Sequence, residues 1–278
     1  MNRNAHKLML ILLTAVFLVG CTNISPVTQV ASTPFPQATQ APLSLVTHTP
    51  VPQPSLALTP TAETPISSDI GFKIVFAAET GEGSISGEIY FLGNYAVEMS
   101  LDAPKPEVVY HLSRMSWREV EANQTIAFSD CLAWAAASAK TTKESLAAST
   151  DETAKRFTES LLEPKFEIKT SGTGEITLQN EFLSYRITPA QSVDEAVMGD
   201  FFAYDQLNAC RKALVLRQLP PFAQLAVTEE LKHRAVFPSV IAFTIKTTKG
   251  DVVVRLLYSV EEITDVEYTL VKSVLNDQ

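Results

Sequence analysis

No apolar run in this 278-residue chain reaches the roughly 20 residues that a membrane-spanning helix needs. The longest, Leu8 to Val19, is 12 residues and ends in small side chains. A permanent transmembrane anchor is therefore the poorer reading of the N-terminus. Basic residues are in deficit, with 22 Lys and Arg against 31 Asp and Glu and a net charge of −9. Such a balance argues against nucleic-acid backbones and anionic headgroups as partners. Residues 22–68 hold no Gly, no Lys, no Arg and a single acidic residue, Glu63, so no core can come from them. Cysteine is confined to three positions, Cys21, Cys131 and Cys210.

The short N-terminal run has a positive flank, Arg3 and Lys7, which together with the apolar stretch makes the pattern of a secretory signal. Its end, Leu18-Val19-Gly20-Cys21, resembles the lipobox of bacterial lipoproteins. The resemblance implies that Cys21 receives diacylglycerol and that cleavage before it removes residues 1–20. Two or more acyl chains hold a protein on a membrane where one barely does, at about 0.8 kcal/mol per buried methylene. Thr22 stands where the inner-membrane retention signal of the family has Asp, which leans towards a cell-surface or outer-membrane position. Loss of Arg3 and Lys7 with the signal takes the net charge to −11.

Residues 22–68 carry nine prolines among many Thr, Ser and Gln. Such a composition favours extended polyproline-II geometry and reads as a tether, its Thr and Ser open to glycosylation. At about 3.1 Å per residue it reaches on the order of 145 Å if fully extended. The organisation is thus a signal peptide (1–20), a lipidated cysteine and tether (21–68), and one globular domain (69–278).

The head begins with period-two alternation: Phe72, Ile74, Phe76 and Ala78; then Ile85, Ile89 and Phe91; then Tyr95, Val97, Met99 and Leu101; then Val108, Tyr110 and Leu112. Gly81 to Gly83 and Gly93-Asn94 mark the turns of consecutive hairpins. Ser129–Ser149 switches to helical spacing, with Cys131, Ala135 and Ala139 on one stripe. Asp151–Leu162 continues with Ala154, Phe157 and Leu161, and Pro164 stops it. Strands return at Phe166 and Ile168, at Ile176 and Leu178, and at Leu183, Tyr185 and Ile187. Ser192-x-x-Glu195 has the spacing of a capping box for a helix with Ala203, Leu207, Cys210 and Leu214 inward. Pro220-Pro221 opens a shorter helix through His233. Val240–Ile245 and Val252–Tyr258 flank a turn at Lys249-Gly250-Asp251, and Val266–Val274 reads as a final strand. The sum is α+β: a curved, mostly antiparallel sheet of about eleven strands with helices on one face. That order of elements resembles, in outline only, the envelope lipoprotein carriers and lipid-binding lipoproteins, whose half-barrel grips acyl chains under helices. No functional residue carries over from it.

Chemistry-bearing constellations are scarce. Gly81-Glu82-Gly83-Ser84-Ile85-Ser86-Gly87 leads into a strand, lacks dinucleotide spacing and fails the Gly-x-Ser-x-Gly elbow at Ser84. Glu230 and His233 share a helical face, but a carboxylate metal site of that kind needs a second Glu-x-x-His pair, and none is present. His111 and Cys131 are the residues for a thiol-imidazole pair, with nothing in sequence to bring them together. The acid pairs Asp194-Glu195, Glu229-Glu230 and Glu261-Glu262 diverge on any regular backbone. Trp117, Trp134, Phe201, Phe202 and Tyr204 read as core, with a ligand groove as the sharper alternative. Cys131 and Cys210, each on the inner stripe of a different helix, read either as a disulfide between the helices or as two buried thiols. No catalytic residue, cofactor or metal ligand is assigned. The expectation is a non-enzymatic, membrane-anchored extracytoplasmic domain that binds an apolar ligand or an envelope protein; the alternatives are an envelope hydrolase and a purely structural lipoprotein.

Overall fold

Eleven strands, all pairing antiparallel, form one open sheet in the order β6-β5-β4-β3-β2-β1-β11-β10-β9-β8-β7. The computed structural model describes residues 71–99, 105–216, 218–247 and 250–276. The signal, Cys21, the tether, Leu101 and Lys249 lie outside the described residues. The first meander comprises β1 (Phe72–Thr80), β2 (Gly83–Leu92), β3 (Tyr95–Met99), β4 (Pro106–His111), β5 (Ser116–Glu119) and β6 (Gln124–Ala127). Gly93, with φ +56°, supplies the left-handed residue of the β2–β3 turn.

Helices α1 (Phe128–Ala147) and α2 (Glu152–Leu162) carry the chain to the opposite edge of the sheet. A second meander then works inwards through β7 (Glu167–Thr170), β8 (Ile176–Gln179) and β9 (Leu183–Pro189). Helices α3 (Glu195–Leu214) and α4 (Phe222–His233) follow, and then β10 (Pro238–Thr247) and β11 (Gly250–Glu262). The last strand pairs with the first, Phe72 opposite Glu262 through Thr80 opposite Val254, so the two meanders meet at the centre of the sheet.

Both faces of the first meander are covered, by different helices. Phe72, Ile74, Ile89, Phe91, Ala96, Val108, Tyr110 and Trp117 face the main core, which α1 to α4 complete with Cys131, Leu161, Phe201, Leu207, Cys210 and Leu231. Their strand neighbours Tyr90, Val97 and Val109 point the other way and pack on Ile263 and Val271, with half-buried Tyr268, Val274 and Leu275 around them. These come from a fifth helix, α5 (Asp265–Asn276), and its approach. Ala96 and Val97, successive residues of β3, are thus both fully buried.

Three expectations need correction. Val266–Val274 is not a strand but lies within α5. Its β-branched content suggested a strand, yet Tyr268, Val271, Val274 and Leu275 recur at helical spacing. Thr264 and Glu267 cap it reciprocally, the Thr264 amide donating to Glu267 Oε2 at 2.7 Å and the Glu267 amide to Thr264 Oγ1 at 3.3 Å. Ser192-x-x-Glu195, in contrast, forms no such box: Asp194 caps α3, its carboxylate accepting from the Ala196 amide at 2.8 Å. Strands β5 and β6 were not foreseen, because Ser116–Ala127 is short and mostly polar; the count of eleven stands because one strand too many replaced part of what was missed. The α+β class and the antiparallel sheet are as expected, with four helices on one face and α5 on the other.

Candidate functional site: the helix-covered face of the sheet

Cross-strand partners share a face, so the registers show how far the apolar surface of the main core extends. Beyond the layer of Ile74 and Ile89, Ala78 of β1 stands between Ile85 of β2 and Leu256 of β11, and Leu256 stands opposite Ile241 of β10. The next layer places Val254 opposite Phe243. Ile241 and Phe243 touch the packed core, whereas Ala78, Val254 and Leu256 are half-buried outside it and Ile85 is 38% exposed. On the reverse of the same strands stand Glu79, Ser84, Ser86 and Arg255, with an ion pair of 3.1 Å between Arg255 and Glu79. The reverse of these strands is mixed, since Ala77, Leu257 and Val240 stand side by side on it and Val253 is 46% exposed there, whereas the front row is aliphatic from Ile85 through to Ile241.

Within the packed core, α3 lies against the same face of the sheet. Phe201 stacks edge-on to Tyr258 of β11 (5.6 Å between centroids) and leans on Phe237 (4.8 Å). One turn further, Asp205 accepts from Gln224 Nε2 at 2.8 Å and from the Thr228 hydroxyl, both on α4. Burial pushes the Asp205 carboxyl up, opposed by the Thr228 bond, the charge of Lys212 and the Gln224 bond. Burial also raises Tyr258 and Tyr185, and the Asp205 charge adds to both, so the phenols stay protonated. Asp200, with burial alone acting on it, is pushed up to about 6.

A second polar cluster ties α3 to the first meander. Arg211 donates from Nε to Glu119 Oε1 at 2.7 Å, from Nη2 to Glu119 Oε2 at 3.2 Å and from Nη1 to Glu98 Oε2 at 3.0 Å. The Tyr204 hydroxyl donates to Glu98 Oε1 at 2.6 Å, the Tyr110 hydroxyl to the same oxygen at 3.1 Å, and Trp117 Nε1 to Glu119 Oε1 at 3.1 Å. Every buried charge here has partners, which marks a structural network rather than a reactive one. Beside it, Cys131 of α1 and Cys210 of α3 lie at disulfide distance, Cα to Cα 6.0 Å, both fully buried.

The other candidates separate. His111 is on the α5 side of β4 against Tyr95, at 4.6 Å between centroids, while Cys131 is in the main core facing Cys210, so no thiol-imidazole pair forms. Glu230 engages Arg234 rather than His233. Gly81-Glu82 is the β1–β2 turn, and Gly83 opens β2 opposite Thr80. Trp117, Phe201, Phe202 and Tyr204 are all buried in the core, Trp134 is half-buried, and none of them lines the exposed apolar layer. Sequence reasoning had Ala78 and Ile85 as inward residues but not their partnership with Leu256 and Ile241, which depends on the β1–β11 register across some 180 residues. Among the described residues no group of three His, Cys, Asp or Glu side chains is placed to hold a metal ion. Compared with known proteins, the chain matches no family model and no curated protein.

Proposed function

We propose that this is a lipid-anchored protein of the bacterial cell envelope whose head binds an apolar ligand, of the acyl-chain class, on the helix-covered face of its sheet. The row Ile85, Ala78, Leu256 and Ile241 carries the reading. Four adjacent aliphatic positions carry the apolar face outward from the packed core to Ile85, which is 38% exposed, and contiguous apolar surface of this kind serves a binding partner. Cys21 as the lipidated residue and residues 22–68 as a charge-poor tether hold the head off the membrane, at the cell surface or outer membrane. An oxidising compartment accords with Cys131 and Cys210 at bonding distance. The fully partnered Arg211 cluster supports a binding role over catalysis, since it leaves no polar group poised for a reacting atom.

Solvent extraction and native mass spectrometry of the processed protein, purified from membranes in mild detergent, test the reading. A stoichiometric acyl lipid on the head is expected, beyond the covalent lipid on Cys21. A head without ligand that turns over a hydrolase substrate, or one that is crosslinked to a stable envelope partner through the same face, contradicts it.

A further inference from the structure

The β5–β6 turn has no part in the apolar face or in the ion clusters, and it carries an unassigned sequence pattern. Residues 121 to 125 read Glu-Ala-Asn-Gln-Thr, an Asn-x-Thr acceptor for N-glycosylation in its extended form with an acidic residue two places before the asparagine. That extended form is the one bacterial oligosaccharyltransferases use. All five residues are exposed. The Asn123 amide donates back to the Val120 carbonyl at 3.3 Å, closing the turn, and Asn123 has φ +48°, so the acceptor is at the tip of a tight, left-handed bend with its side chain free of regular structure. Glu121 is held by Lys105 at 2.7 Å but keeps 82% of its side chain in solvent. Gln124 and Thr125 are the exposed first half of β6, the edge strand of the sheet.

We infer that Asn123 is an N-glycosylation site. The inference rests on the export reading of residues 1–21. The Asn123 amide nitrogen attacks the anomeric carbon of an oligosaccharide linked to a polyprenyl pyrophosphate. A C–N bond forms, the C–O bond to pyrophosphate breaks, polyprenyl pyrophosphate leaves with the electron pair, and the amide gives up one proton. The glycan then stands next to β6, whose outer N–H and C=O groups no neighbouring strand among the described residues covers, and it guards that edge against pairing with a second copy. The other Asn-x-Ser/Thr, Asn23-Ile24-Ser25, has Cys21 rather than an acid two places before it and is outside the extended pattern.

The full-length precursor is produced in a diderm host carrying a bacterial oligosaccharyltransferase and its lipid-linked oligosaccharide, and membrane peptides are analysed by mass spectrometry. One glycan on the Asn123 peptide is expected, absent in Asn123→Gln and Thr125→Ala, reduced at least tenfold in Glu121→Gln, with Asn23 unmodified. An unmodified Asn123 in molecules whose Cys21 carries lipid overturns the glycan site while the export reading stands. An uncleaved, lipid-free Cys21 overturns the export reading, and the glycan site falls with it.

Discussion

One cation set among carboxylates occurs twice in this molecule, on opposite faces of the sheet. Arg211 lies between α3 and the first meander, its side chain 10% exposed and those of Glu98 and Glu119 18% and 15%. Lys73 lies beneath α5, 12% exposed, against Glu267 at 2.8 Å, Glu88 at 3.1 Å and Glu261 at 3.7 Å, whose side chains are 20%, 39% and 50% exposed. The guanidinium makes a planar, two-pronged contact with Glu119 and a single bond with Glu98, inside a shell of Tyr and Trp donors. The ammonium is a point charge shared among partners that water reaches. The first arrangement fixes where α3 crosses the sheet; the second fastens a terminal helix and is screened.

The largest effect should come from Arg211→Met, which leaves two carboxylates buried without a cation and costs about 3–5 kcal/mol, read by denaturant unfolding. Adding Glu98→Gln and Glu119→Gln should restore most of that loss; no recovery would show that the guanidinium matters by its packing alone. Lys73→Met should cost about 1 kcal/mol, because its partners are solvated, with hydrogen exchange rising first at Tyr90 and Val97 under α5. A loss as large as that of Arg211 would erase the distinction between the two clusters.

Acid titration sharpens the same contrast. Burial raises the Glu267 carboxyl, but the bond from Lys73, the Thr264 backbone and side-chain bonds and the Lys73 charge outweigh it and hold it below the usual carboxylate range. Its stabilising contribution is therefore complete above the unfolded value and disappears as pH falls through the folded one, loosening α5 in acid. Asp200 has the opposite sign. Its carboxyl is raised from 3.8 to about 6, so the fold loses stability as pH climbs across that window. Asp200→Asn should stabilise the protein by about 1 kcal/mol at pH 7, after allowance for solvent screening, and leave it unchanged near pH 3. Equal stability of variant and parent at both pH values would contradict this.

Much of the fold was legible because alternation and helical spacing are local. Phe72 to Ala78 and the Cys131 stripe state their own geometry within ten residues. The reading failed where local signals conflicted or were absent. In α5 three valines, Val266, Val271 and Val274, outweighed an overlooked Thr264-x-x-Glu267 cap, and β5 and β6 present more polar than apolar side chains. The candidate site was legible only in halves. Ala78 and Ile85 lie on one hairpin and Leu256 and Ile241 on another, and their union depends on a register between the first and last strands that no local pattern encodes. Arg211 was equally out of sight, since its partners Glu98 and Glu119 lie 113 and 92 residues away.

The central claim is that the apolar row binds acyl chains, and Ile85→Glu tests it most directly because that side chain is the most exposed of the four. Titration of the parent and variant heads with a fluorescent fatty acid, at matched thermal stability, should show saturable binding by the parent and at least a tenfold weaker affinity in the variant. Equal binding by the two, with the variant still folded, would contradict the account.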